Sequence, residues 1–160
     1  MNRIPVDFYY LIVAFLMWGL AFVLIPKEKF KPLFWYGLIW GYLAGHIFAW
    51  IFGVGLHCYE YKLIEPFRPF YTNAWLNFAW IPAIMIYLFH LPASNLWYVY
   101  PLYLTTFSLA SAGLDDIFHE AGLLKYYHWN SLIRFIITMV WLWGVKIHYK
   151  GTKDTIQNYE

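Results

Sequence analysis

Between Thr72 and Leu114 the chain carries no Asp, Glu, Lys or Arg. A membrane-spanning helix needs about 20 mostly apolar residues, so this run is too long for one span and long enough for two. The rest of the chain is of the same kind. Hydrophobic residues make up 62% and charged residues 12%, where a water-soluble domain carries about 25% charged. That shortage leaves too few polar groups to cover a soluble domain of this size. The abundance of apolar side chains excludes disorder. Eleven scattered basic residues form no patch for nucleic acid. A single cysteine, Cys58, excludes an intrachain disulfide framework and a CxxC motif. The solvent that remains is lipid.

Five apolar segments can be read, at approximately 8–25, 33–58, 72–91, 96–116 and 131–147. Pro26-Lys27-Glu28-Lys29-Phe30-Lys31-Pro32 is expected to stop the first. Leu91-Pro92-Ala93-Ser94-Asn95 is the turn between the third and fourth, by its Pro and Asn. Arg134 and Lys146 lie near the ends of the fifth, where long side chains reach the interface. The runs are continuous, without the alternation of β-barrel strands. The expected fold is therefore all-α: a polytopic five-transmembrane-helix bundle in one domain, 1–150, with a polar tail at 151–160, in a multi-pass cell-membrane location. The first segment has no small-x-small cleavage site after it and reads as a retained helix, not a signal peptide. Lys27, Lys29 and Lys31 in the first loop and Lys146, Lys150 and Lys153 near the end fall on one side only if the number of spans is odd. The positive-inside rule then puts the N-terminus outside and the C-terminus in the cytoplasm.

Gly37, Gly41 and Gly45 repeat every fourth residue on the second segment. Such a stripe permits close backbone approach, either to a neighbouring helix or to a second copy of the chain as a homo-oligomer. Pro82 within the third segment should kink its helix. Aromatic residues crowd the segment ends as interfacial belts. Trp18, Trp40, Trp50 and Trp80 lie deeper, as packing or as pocket walls. No internal repeat is visible, which argues against a transporter built on inverted halves.

Chemistry concentrates at Leu114-Asp115-Asp116-Ile117-Phe118-His119-Glu120. Helical spacing puts Asp116, His119 and Glu120 on one face. Thr105, Ser108, Ala112 and Asp115 extend a polar stripe down the helix, which should face protein or a cavity because lipid would leave it unsatisfied. Adjacent carboxylates near a low-dielectric boundary titrate apart, which supplies a proton donor. Asp115, Asp116 and Glu120 are thus the candidate catalytic acids. His57, Glu60, His119, Arg134 and Trp80 are the candidate binding residues. A simpler reading pairs Arg134 with Asp115, Asp116 or Glu120 across two antiparallel helices. His57 with Glu60, and Asp116 with His119, have the i, i+3 spacing by which a helix offers two metal ligands. Those four residues together are the candidate site for a divalent metal, the cofactor being otherwise undefined. No GxSxG, Walker, HExxH or glycine-rich nucleotide motif is present.

The stretch Glu120…Gly122-Leu123-Leu124-Lys125-Tyr126…His128-Trp129-Asn130, leading into a last span with a basic tail, resembles small multi-span membrane proteins of spore-forming bacteria. That resemblance implies a plasma or spore membrane location and no activity. In kind, the chain is similar to membrane-integral terpene cyclases and lycopene-cyclase-like proteins, which combine aromatic-rich bundles with embedded carboxylates. Asp115-Asp116-x-x-x-Glu120 resembles the aspartate-rich motif of ionisation-type terpene synthases without its standard spacing. This similarity implies an isoprenoid substrate, protonated by a carboxylic acid or ionised with a metal, and aromatic faces that stabilise a cation.

Three functions are carried forward. The first is an outer-side acidic and histidine cavity that binds or acts on a lipid or isoprenoid, with no nucleic-acid partner. The second is a non-catalytic structural or assembly protein of a bacterial membrane. The third is a small transporter subunit.

Overall fold

The computed structural model describes residues 7–62, 73–94 and 96–157, with side chains to 152 in the last helix. Most of the polar loop at 60–71, Asn95 of the turn, and Lys153 among the basic residues of the tail lie outside the described residues or side chains. The chain is mostly helical, with five helices among the described residues. They are α1 (Asp7–Leu24), α2 (Lys27–Gly55), α3 (Ala74–Phe89), α4 (Val99–Glu120) and α5 (Ser131–Gln157). Two of these helical stretches, Lys27–Gly55 and Ser131–Thr152, are long and apolar enough to cross a membrane.

Successive helices alternate in direction. Tyr10, Leu76, Phe118 and Trp129 pack together at one end, where α1, α3 and α5 begin and α4 finishes. Ile25, Leu33, Leu88, Leu104 and Val145 pack together at the other. Helix α3 is the central rod: it packs against α1 and α2, while α4 packs against α5. Tyr87 of α3 joins the two groups. Its hydroxyl donates to the Leu142 carbonyl at 3.0 Å, and its own carbonyl accepts from the Tyr103 hydroxyl at 2.7 Å. Tyr87→Phe is therefore expected to lower stability by about 1 kcal/mol. Thermal unfolding in detergent measures this, and an unchanged midpoint would mean that the hydroxyl ties nothing.

Helix α2 differs from expectation at its start. The prolines were expected to interrupt the chain until Leu33, yet only Pro26 does so. It caps α2 in an extended conformation, φ −59° and ψ 146°, and the helix then takes in Lys27 through Pro32. Pro32, the sixth residue, lies inside the helix, where it removes the bond its N–H would have made to the Glu28 carbonyl. Farther along, Gly37–Leu43 and Trp50–Gly55 adopt the π form. The amide of Ala44 bonds the Ile39 carbonyl, five residues back, instead of four.

The glycine stripe resolves in favour of internal packing. A Cβ on Gly37 would stand 2.6 Å from the Ile81 carbonyl oxygen, and one on Gly41 2.5 Å from that of Trp80. Gly45 follows against the Asn77 side chain. Gly37 and Gly41 are thus filled by the α2–α3 contact itself, while Gly45 stays half-buried.

Beside the helices, which make up most of the chain as expected, there is a small two-stranded sheet. Strand β1 (Tyr59–Tyr61) pairs antiparallel with β2 (Leu124–Tyr126), with Tyr59 opposite Tyr126, Glu60 opposite Lys125 and Tyr61 opposite Leu124. It joins the exit of α2 to the α4–α5 connection. The Tyr10 hydroxyl adds α1 through a 2.7 Å bond to the Leu123 carbonyl. Tyr59 and Leu124 of these strands are buried against Tyr10, Leu76, Phe118 and Trp129.

Large apolar side chains remain outside. Phe15, Leu16, Phe22 and Val23 are exposed on α1, and Leu102, Leu109 and Ile117 on α4. On α5, Leu132, Ile136, Val140, Trp143 and Ile147 form an exposed stripe at helical spacing. Single exposed apolar residues are ordinary, but continuous apolar faces mark contact with a partner or with lipid.

Candidate functional site

The sequence placed Asp115 and Arg134 on neighbouring antiparallel helices, and the structure pairs them. Arg134 Nε lies 3.2 Å from Asp115 Oδ2, with Asp115 3% and Arg134 8% exposed. The same Nε donates to Ser111 Oγ at 3.2 Å, and Ser111 meets Thr138 Oγ1 at 3.3 Å. The other carboxylate oxygen of Asp115 accepts from the Tyr61 hydroxyl at 3.3 Å. Burial pushes the Tyr61 phenol well above its ordinary pKa, so it remains a protonated donor. The guanidinium also sits over the Trp80 ring, 5.3 Å from its centroid, a favourable cation–π arrangement. The indole N–H of Trp129 is buried beside Asp115 without closing a hydrogen bond to it.

The polar stripe on α4 faces protein. Ser108, Ala112 and Asp115 are buried and Thr105 is half-buried, and Ser111 is buried beside them. Asp116, one residue on, is turned to the flank of α5. It accepts from the Ser131 hydroxyl and, at 3.3 Å, from Tyr126. Removing either donor, by Ser131→Ala or Tyr126→Phe, is expected to cost about 1 kcal/mol. An unaltered denaturation profile for both variants would show Asp116 to be solvated instead.

The remaining candidates do not converge with the two aspartates. In β1 side chains alternate between faces. Tyr59 and Tyr61 point inward while Glu60 is exposed, where it accepts from Tyr127 at 2.9 Å. His57 ends α2 with φ 48°, a left-handed conformation suited to a helix terminus, and its side chain is exposed. His119 is exposed, contacts the Leu124 carbonyl through Nδ1 at 2.9 Å, and stacks on Tyr126 at 4.3 Å between ring centroids. Glu120, the third candidate acid, is exposed at the end of α4. Among the described residues no group of three His, Cys, Asp or Glu side chains is placed to hold a metal ion. The divalent-metal site expected from His57, Glu60, Asp116 and His119 is corrected accordingly: strand alternation turns Glu60 away, and His57 serves the helix end.

Arg134 and Trp80 do face a concave site. A cleft between α2, α3 and α5 is walled by Trp40, Phe48, Trp80 and Trp141, with Arg134 and Thr138 on its polar side. Counting its open mouth, it holds about 510 Å³ of empty space, part of it open to the surroundings. Asn77 also lines it, 6% exposed, and its amide nitrogen has no hydrogen-bond partner. Asn77, Ser111, Thr138 and Tyr61 were not singled out in the sequence. An asparagine inside a charge-free helix was the available signal, since polar groups there must find a partner. Trp40 of the cleft wall donates its indole N–H to His148 Nδ1 at 2.9 Å and packs edge-on to Trp141.

Comparison with protein-family models, curated proteins and solved structures yields no match. The fold and the cleft define the chain as a mostly helical protein, two of whose helices can cross a membrane.

Proposed function

We propose that the chain is a multi-pass membrane protein of five spans, outside at its N-terminus and cytoplasmic at its tail, that binds a lipid or isoprenoid in the Arg134–Trp80 cleft. The observation carrying this reading is the cleft itself: aromatic walls, one buried cation, and an opening between helices whose outer faces are apolar. The alternating helices support an odd number of spans, because the basic loop after α1 and the end of α5 then share a side. Helix α1, with 18 residues, rises about 27 Å at 1.5 Å per residue, close to the hydrocarbon thickness. Helix α3 is shorter, but α1 and α2 flank it and much of its surface never meets lipid.

Binding is favoured over acid or metal-assisted chemistry. Asp115 is held by Arg134 and Tyr61, Asp116 by Ser131 and Tyr126, and Glu120 lies at the surface. None of the three lines the cleft. The assembly reading draws support from the Asp115–Arg134 pair, whereas the glycine stripe that would have served it is occupied within the chain.

Two experiments test the proposal. Protein purified from membranes is expected to carry an extractable lipid-soluble molecule at about one per chain. Ala49→Trp, which fills the cleft wall, should lose it; equal lipid content in a folded Ala49→Trp protein would refute cleft binding. For orientation, Glu60→Cys and Lys150→Cys are placed in a Cys58→Ser background. A membrane-impermeant maleimide should label the first in intact cells and the second only after permeabilisation, and the reverse pattern would invert the topology.

A further inference from the structure

The cleft combines two donors with no net charge. Among the described residues Arg134 is the only charged one lining it, and Asp115 neutralises that cation at 3.2 Å. The contacts of the guanidinium to carboxylate and hydroxyl both run through Nε, so its terminal amino groups make no hydrogen bond among the described residues. The Asn77 amide nitrogen is the second free donor, buried and without a partner. An anionic head would lose its hydration at a pair whose charge is already balanced, and that loss would go uncompensated. A neutral oxygen acceptor loses much less hydration and satisfies both donors. The walls add a shape requirement, since Trp40, Trp80 and Trp141 present rings that favour a flat, conjugated body.

We infer that the cleft takes a flat, neutral lipid head that accepts hydrogen bonds through carbonyl oxygen, the chemistry of an isoprenoid quinone, with Asn77 and Arg134 as donors. This rests on the cleft being a lipid site. The test is equilibrium binding of tritiated probes to the full chain in phosphatidylcholine nanodiscs: a decyl-substituted benzoquinone, oleate and dioleoylglycerol. The quinone should bind saturably at one per chain. Asn77→Leu should weaken it about tenfold without lowering the unfolding midpoint, because the amide nitrogen it removes has no partner. Asn77→Ala repeats the measurement should Leu disturb the packing. Undiminished quinone affinity in both variants would overturn the donor assignment. Saturable oleate binding without quinone binding would overturn the neutral head, and dioleoylglycerol binding alone would overturn the flat one; either leaves the lipid site standing. Saturable binding of no probe, or binding indifferent to Ala49→Trp, would defeat the lipid reading itself.

Discussion

Gly41→Ala is expected to be the most damaging single methyl in the molecule. The added Cβ would lie 2.5 Å from the Trp80 carbonyl oxygen, 2.6 Å from its carbon and 2.8 Å from the Ile81 nitrogen. All three are backbone atoms of the central helix, so no side chain can swing aside. Overpacking of this kind costs about 1–3 kcal/mol, and the rigid partner places Gly41 at the upper end. Gly113→Ala supplies the contrast, because nothing lies within 4 Å of a Cβ there. Alanine in a helix interior is favoured over glycine by about 1 kcal/mol. Unfolding midpoints in detergent should therefore move in opposite directions for the two variants. A common shift would mean that α2 and α3 do not approach as closely as described.

The second large effect is expected at the buried ion pair. Arg134→Met leaves the Asp115 carboxylate 3% exposed and without its cation. Breaking one partner of a buried pair costs about 3–5 kcal/mol. Adding Asp115→Leu removes the stranded charge and should restore most of the loss, since apolar replacement of both partners is often neutral. A double-mutant cycle measures the coupling. Simple additivity of the two losses would show that the two residues act independently. The same cycle bears on chemistry: a carboxylate whose main role is to balance Arg134 is dispensable once Arg134 is gone.

The parts of this architecture that were legible in the sequence are those governed by long-range composition. The charge-free run from Thr72 to Leu114 marked α3 and α4, and the Pro92–Asn95 neighbourhood marked the turn between them. The Asp115–Arg134 pair was legible because a short connection makes α4 and α5 antiparallel neighbours, so that depth alone aligns their side chains. The sheet was not legible. Tyr59-Glu60-Tyr61 and Leu124-Lys125-Tyr126 are each too short to display a period, and they pair across a wide gap in the chain. That omission also produced the metal expectation, since Glu60 read as helical shares a face with His57, whereas in a strand it turns outward. The π runs of α2 were equally silent, because hydrogen-bond spacing leaves no compositional mark. Asn77 was visible as a polar residue among apolar ones, but only its burial without a partner gives it meaning.

The pairing of β1 with β2 also imposes an order of events. Tyr59–Tyr61 leaves the ribosome well before Leu124–Tyr126, and synthesis is directional. The earlier strand has no partner until α3 and α4 have been made. Closing so long a loop adds only a slowly growing entropic penalty, so the delay is one of sequence and not of energy. The sheet is in effect a clasp that can shut only when the fourth rod is in place. A chain arrested before residue 124 would leave Tyr59 and Tyr61 without their strand partners.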